Sequence, residues 1–169
     1  MVYYFGYGAN MSKRYIENVR NITPVSSQTA SIFNYKLVIN LKGPNFIEPA
    51  FANICYEEGA KVEGVVHELT QADLDRIVTS EGETYELIET PATCATETVL
   101  VQTLRCKENT SKDLPASRRY MKILIAAAIE NNLSSSYIKF LKGKDSVYYP
   151  ILSEIFAIRI YFWVKSRAR

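Results

Sequence analysis

The first ten residues carry the tightest constraint in this chain. Val2 to Phe5 has the aromatic and β-branched character of a strand, Gly6-Tyr7-Gly8 breaks it, and Ala9-Asn10-Met11 leads into a short helical pattern. A strand that ends in glycines just before a helix presents bare backbone N–H groups, which suit an anion or a developing oxyanion. The same pattern also occurs in ordinary turns, so on its own it names no chemistry.

The rest of the chain supplies a sheet for that strand to join. Ser12 is placed to cap a helix through Val19, which the Asn21 to Ser27 region with Pro24 ends. Ala30 to Leu41 alternates as a strand, and Gly43-Pro44-Asn45 is a turn signal. Ala50 to Tyr56 and Val62 to Leu69 read as two further strands, joined as a hairpin through a short connection that contains Gly59. Thr70 and Asp73 cap a helix with a Leu74, Ile77, Val78 stripe and a natural stop at Gly82. Thr84 to Thr90 and Thr96 to Cys106 read as two strands around Pro91, and a polar loop runs from Lys107 to Leu114. Ser117 to Asn132 gives the longest helix, followed by a shorter one from Ser134 to Leu141 that Gly143 ends. Strands that look antiparallel, with helices inserted or trailing, indicate an α+β fold with a curved or barrel-like sheet, not alternating βαβ units. With no internal repeat or linker, 169 residues are expected to make one domain.

Several function classes are disfavoured. A net charge of +2, with no basic patches around the aromatics, argues against a nucleic-acid partner. Cys55, Cys94 and Cys106 lack metal-like spacing, and an odd number without a signal-peptide pattern at the start suggests a cytoplasmic protein. His67, the only histidine, sits between Val66 and Glu68 in a strand and reads as structural, so metal catalysis, a Ser-His pair and a cofactor are not expected. Val147 to Val164 is strongly apolar, and the basic residues 165–169 follow it. Pro150, Glu154 and Arg159 argue against a membrane span, and packing on the domain or a homodimer contact is the expected role of this tail, with membrane-surface contact the less favoured alternative.

Glu81 stands at the end of the helix that Gly82 stops. Helix carbonyls concentrate negative partial charge there, and burial near Tyr85 acts in the same direction; both favour a carboxyl that takes up and returns a proton near neutral pH. A solvated surface glutamate is the alternative. Paired with the opening turn, Glu81 suits a reaction in which the substrate supplies its own nucleophile. The protein then need only hold the reacting conformer, move one proton and stabilise an oxyanion.

Tyr4-Phe5-Gly6-Tyr7-Gly8-Ala9-Asn10-Met11 resembles the Tyr-Phe-Ala-Tyr-Gly-Ser-Asn-Leu signature of the γ-glutamylcyclotransferases. Val62-Glu63-Gly64-Val65-Val66 is similar to that family's Val-x-Gly-Val-Val strand. Asp73-Leu74 to Ser80-Glu81-Gly82, with Tyr85 after it, resembles its Asp-Leu…Glu-Gly…Tyr segment. Pro115 to Tyr120, with the helix to Asn132-Leu133, resembles its Pro-x-x-x-x-Tyr helix. The matches run in order over about residues 3–141, and the tail 144–169 has no counterpart.

The resemblance implies a small mixed β-barrel with flanking helices, no metal or cofactor, and a small γ-glutamyl substrate. In the implied reaction the α-amino group of a γ-glutamyl moiety attacks its own side-chain carbonyl, giving 5-oxoproline and a free amine. It implies Glu81 as the acid/base and Tyr4, Phe5, Gly6, Tyr7, Gly8, Ala9, Asn10 and Tyr85 as substrate-binding residues. Three positions depart from the pattern: Ala9 replaces a Ser, Val78 an Asp, and Leu104 or Thr103 stands near a substrate-contacting Tyr. Those departures keep open a binding protein of the same fold that lacks turnover. The tail keeps open an interaction module.

Overall fold

β1 (Val2–Gly6) is the strand on which a five-stranded barrel closes, in a computed structural model that describes residues 1–43, 48–107, 112–148, 158, 162, 163, 165 and 166. The strand order is β1–β3–β2–β4–β5, with β2 Ser26–Lys42, β3 Ala50–Leu69, β4 Tyr85–Thr93 and β5 Thr98–Cys106. Every pairing is antiparallel except β1 with β5, which meet in parallel at Tyr4 and Gln102, so the barrel is mixed. A single 3-10 turn (Ala9–Met11) and α1 (Lys13–Asn18) follow β1, and α2 (Gln71–Glu81) links β3 to β4. The pair α3 (Arg118–Glu130) and α4 (Ser135–Lys142) closes the fold, with a short parallel ladder between β6 (Ala116–Ser117) and β7 (Ser146–Val147). This is the α+β barrel with flanking helices that the sequence led us to expect.

Two details of the strands correct the sequence reading. Residues 50–69 do not form a hairpin: both halves pair antiparallel with β2 and so run the same way. Phe33 faces Lys61 and Tyr35 faces Tyr56, leaving residues 57–60 opposite Asn34 alone. Asn34 and Gly59 both adopt positive φ, and the Gly59 N–H donates to Asn34 Oδ1 at 3.0 Å. The glycine therefore serves a wide bulge that bends one long strand toward closure. Pro91 likewise breaks nothing. It lies within β4 opposite Leu100, and the chain reverses at Cys94, whose N–H donates to the Glu97 carbonyl at 2.8 Å.

Alternation along β1 feeds two cores. Phe5 is fully buried inside the barrel with Met11, Ile54 and Leu124, while Tyr4 joins a smaller cluster with Ile16, Leu74 and Ile77 under α1 and α2. The glycines where β1 ends are there for close approach. A Cβ on Gly64 would stand 2.4 Å from the Gly6 carbonyl oxygen, and one on Gly6 would stand 3.0 Å from the Asn10 backbone. Gly64 thus lets β3 press against the turn, which gives the Val-Glu-Gly-Val-Val segment a physical reason.

The helices obey their capping signals. Ser12, Thr70, Ser117 and Ser134 each accept a hydrogen bond from a backbone N–H in the first turn of the helix that follows. α2 stops at Gly82, at φ 77°. Most of the apolar tail, including Pro150, Glu154 and Arg159, lies outside the described residues, and so does a homodimer contact through it. No helix among the described residues is long and apolar enough to cross a membrane.

Candidate active site

The turn after β1 and the end of α2 meet through one asparagine and one arginine. Asn10 is buried in the 3-10 turn, and its Nδ2 donates to the Tyr4 hydroxyl at 2.9 Å and to Glu81 Oε1 at 3.5 Å. Its Oδ1 accepts from Arg20 Nε at 3.2 Å. Arg20, just past α1, is buried and also donates to Ser80 Oγ through Nη1 and to Glu81 Oε1 through Nη2. Burial works against the Arg20 charge, but the Glu81 carboxylate together with the Tyr15 and Tyr4 hydroxyls more than offsets it and raises the Arg20 pKa. Both contacts to Glu81 fall on Oε1.

His67 props this network from behind. Its Nε2 meets the Asn10 carbonyl at 2.9 Å and its Nδ1 meets Ser27 Oγ at 2.8 Å. Burial holds its pKa below the ordinary value and so favours the neutral ring, although the bond to Asn10 acts the other way. Nε2–H then donates to Asn10 and Nδ1 accepts from the Ser27 hydroxyl. Its role here is structural, fixing the carbonyl of the residue that touches both Tyr4 and Glu81.

A cavity of about 910 Å³ opens against these groups. Tyr4, Gly8, Ala9 and Asn10 line one part of it, and Tyr7, Tyr85 and Glu81 also reach it. Phe5 and Gly6 do not: Phe5 is fully buried in the barrel, and its carbonyl accepts from Thr103 Oγ1 at 2.8 Å. The phenols are pinned to backbone. Tyr7 donates to the Leu104 carbonyl at 2.6 Å and Tyr85 to the Ala52 carbonyl at 3.1 Å, while the Tyr120 hydroxyl accepts from the Ala52 N–H at 3.1 Å. Burial raises the pKa of all three, so they present neutral hydroxyls. Of the two candidates near the expected Tyr, Thr103 is committed to Phe5 and Leu104 faces the cavity. Val78 packs on the smaller core. Among the described residues no three His, Cys, Asp or Glu side chains gather as they would around a metal ion.

Sequence reasoning did not mark Arg20, Ser80 or Arg119 as site residues, and Tyr120 entered only through its helix motif; all four line the cavity. No local spacing singles out Arg20. Its partners at positions 10, 80 and 81 come together only when the barrel closes.

The family model described as AIG2-like matches residues 61–141, a span that contains Gly64, Glu81, Tyr85 and Tyr120. The chain is similar to the γ-glutamyl cyclotransferase gliK of Claviceps purpurea, at 28% identity over 88% of this chain and 73% of gliK. It is also similar to the γ-glutamyl cyclotransferase aclK of Aspergillus oryzae, at 24% identity over 89% of this chain, and it spans only 63% of the length of aclK. Among solved structures, one described as a γ-glutamyl cyclotransferase superposes with a TM-score of 0.78 at 23% identity, covering 94% of this chain and 97% of the other. An uncharacterized protein from Homo sapiens gives the same values. The solved structures speak for the fold, and the family model and the two relatives support a γ-glutamylcyclotransferase-like assignment for the chain.

Proposed function

We propose that this protein is a γ-glutamyl cyclotransferase in which Glu81 is the general acid/base. The observation that carries the reading is the contact of Glu81 with Asn10, 71 residues away in sequence, which sets the carboxylate against the turn after β1. Arg20 and Asn10 both hold Oε1, so the other oxygen is the one that handles the proton.

Oε2 takes a proton from the α-ammonium group of the γ-glutamyl moiety. The freed amine attacks the γ-carbonyl carbon, forming a C–N bond and a tetrahedral oxyanion that the backbone N–H groups around Gly8 and Ala9 stabilise. Collapse breaks the original C–N bond: Glu81 returns the first proton to the departing nitrogen, and the attacking nitrogen, cationic after bond formation, gives up a second proton that the departing amine takes up to leave as an ammonium ion. The products are 5-oxoproline and an amine, with no water consumed and no net proton released. Ring closure draws its rate from proximity, so the tyrosine-lined cavity need only hold the folded-back conformer of the substrate.

Incubation with γ-glutamyl amino acids and γ-glutamyl amines is expected to release 5-oxoproline. Glu81→Gln should lower the rate by about 10²–10⁴-fold while the protein stays folded. Absence of 5-oxoproline from every such substrate, or an unchanged rate in Glu81→Gln, ends the reading.

A further inference from the structure

The stretch after β7 concentrates positive charge beside the most apolar part of the chain. Over residues 149–169 four cations, Arg159, Lys165, Arg167 and Arg169, stand against one carboxylate, Glu154, a net charge of +3. The whole chain carries +2, which leaves residues 1–148 at −1. Lys165, Arg167 and Arg169 follow directly on the apolar run that contains Phe162, Trp163 and Val164.

The barrel does not hide this stretch. Ile158, Phe162, Trp163, Lys165 and Ser166 are helical, and the Ser166 hydroxyl donates to the Trp163 carbonyl at 2.7 Å, three residues back. Ile158 is 58% exposed and Phe162 64%. Four residues apart on a helix, these two share one face, and Lys165 continues it three residues further on. Trp163, one step round the helix, is half-exposed and also reaches the cavity wall. A single exposed apolar side chain is ordinary. Here two share a helical face with a cation, next to a tryptophan and ahead of two arginines. A helix lying in a lipid interface presents that combination, with rings at headgroup level and cations toward anionic headgroups.

We infer that the face carrying Ile158, Phe162 and Lys165 docks the protein on an anionic bilayer surface, lying in the interface without spanning it. The charge decides between a membrane and a second copy of this chain. Two copies meeting through this segment would bring together two stretches of +3, whereas a leaflet rich in phosphatidylserine offers the opposite sign. The docking stands apart from the cyclotransferase reading and holds whatever reaction the cavity performs.

Trp163 is the only tryptophan, so its emission reports on this segment. Vesicles of equal parts phosphatidylcholine and phosphatidylserine should shift that emission to shorter wavelength and carry the protein with them in sedimentation. Vesicles of phosphatidylcholine alone should bind it weaker by about tenfold or more, since each basic residue near an anionic surface contributes about a fivefold factor. Added salt should shrink that difference. Phe162→Ser, at an exposed position off the cavity wall, should weaken binding to the mixed vesicles severalfold. Lys165→Gln combined with Arg167→Gln should remove most of the preference for phosphatidylserine, and an unchanged melting temperature shows that each variant keeps the fold. Equal binding to the two vesicles, binding to neither, or binding that neither variant weakens overturns the inference. Self-association that Phe162→Ser dissolves, in a protein that ignores both vesicles, also overturns it and gives the face to a second copy.

Discussion

Two arginine–glutamate pairs border the same cavity, and they are built in opposite senses. In Arg20–Glu81 the cation is the buried member, with a side chain 4% exposed against 24% for the carboxylate. In Arg119–Glu48 the carboxylate is at 0% and the guanidinium at 23%. One pair therefore offers the cavity a carboxylate steadied by a hidden cation, and the other a cation steadied by a hidden carboxylate. A buried ion pair adds little net stability over an apolar replacement, because desolvation offsets most of the attraction. The pairs differ in which partner is left facing the cavity.

The sharpest way to break the comparison is to remove the hidden partners. Arg20→Met strips Glu81, Asn10 and Ser80 of a shared donor, and Glu48→Leu leaves Arg119 without its anchor. Each should cost about 3–5 kcal/mol of stability, the usual penalty for stranding one member of a buried pair. Removing both members together, as in Arg119→Met with Glu48→Leu, should recover most of that loss, and denaturant titration of the singles and the double measures it. The two sides should separate in kinetics. On the cyclotransferase reading, Arg20→Met is expected to lower kcat because Oε1 loses its stronger partner, whereas Glu48→Leu is expected to act mainly on KM. Equal kcat effects from the two would mean that the pairs are not differentiated as described.

A smaller effect should come from acid, and on one side alone. The only histidine, His67, stands behind Asn10, so nothing comparable supports Arg119. Burial keeps its folded pKa below its ordinary value of 6.5. Between the two values the unfolded chain binds a proton that the folded chain refuses, so stability falls as pH drops below about 6.5 and stops falling once the folded ring also titrates. His67→Gln keeps a donor toward the Asn10 carbonyl and cannot titrate. Its melting temperature should change less between pH 7 and pH 5 than that of the wild type. An identical change in both proteins would remove His67 from the acid response.

What the sequence disclosed follows from how local each signal is. Caps, strand alternation and the stop at Gly82 depend on neighbours within a few residues, so the helices fell where their caps put them. The direction of residues 50–69 is set by pairing with β2, and a glycine at a bulge looks the same in sequence as a glycine at a hairpin. Glu81 and the opening turn could be noticed separately because each carries a local pattern. Arg20 and Glu48 carry none: one follows a helix in a polar stretch, the other sits beside Pro49, and their partners lie 61 and 71 residues away. Contacts closed by a barrel are decided by topology.

The smallest expected effect draws the line between the two sides most cleanly. Ala9 lies on the cavity wall at the turn, beside the network of Asn10 and Glu81, and far in sequence from Lys42 and Arg119. Ala9→Ser adds one hydroxyl to the end of the cavity that would hold the γ-glutamyl group. A neutral hydrogen bond contributes about 0.5–1.5 kcal/mol, so KM should fall by less than about tenfold. That group is common to γ-glutamylalanine and γ-glutamylethylamine, so both should gain by the same factor and their ratio should stay where the wild type sets it. A ratio that moves with Ala9→Ser would mean that the turn also senses the leaving amine.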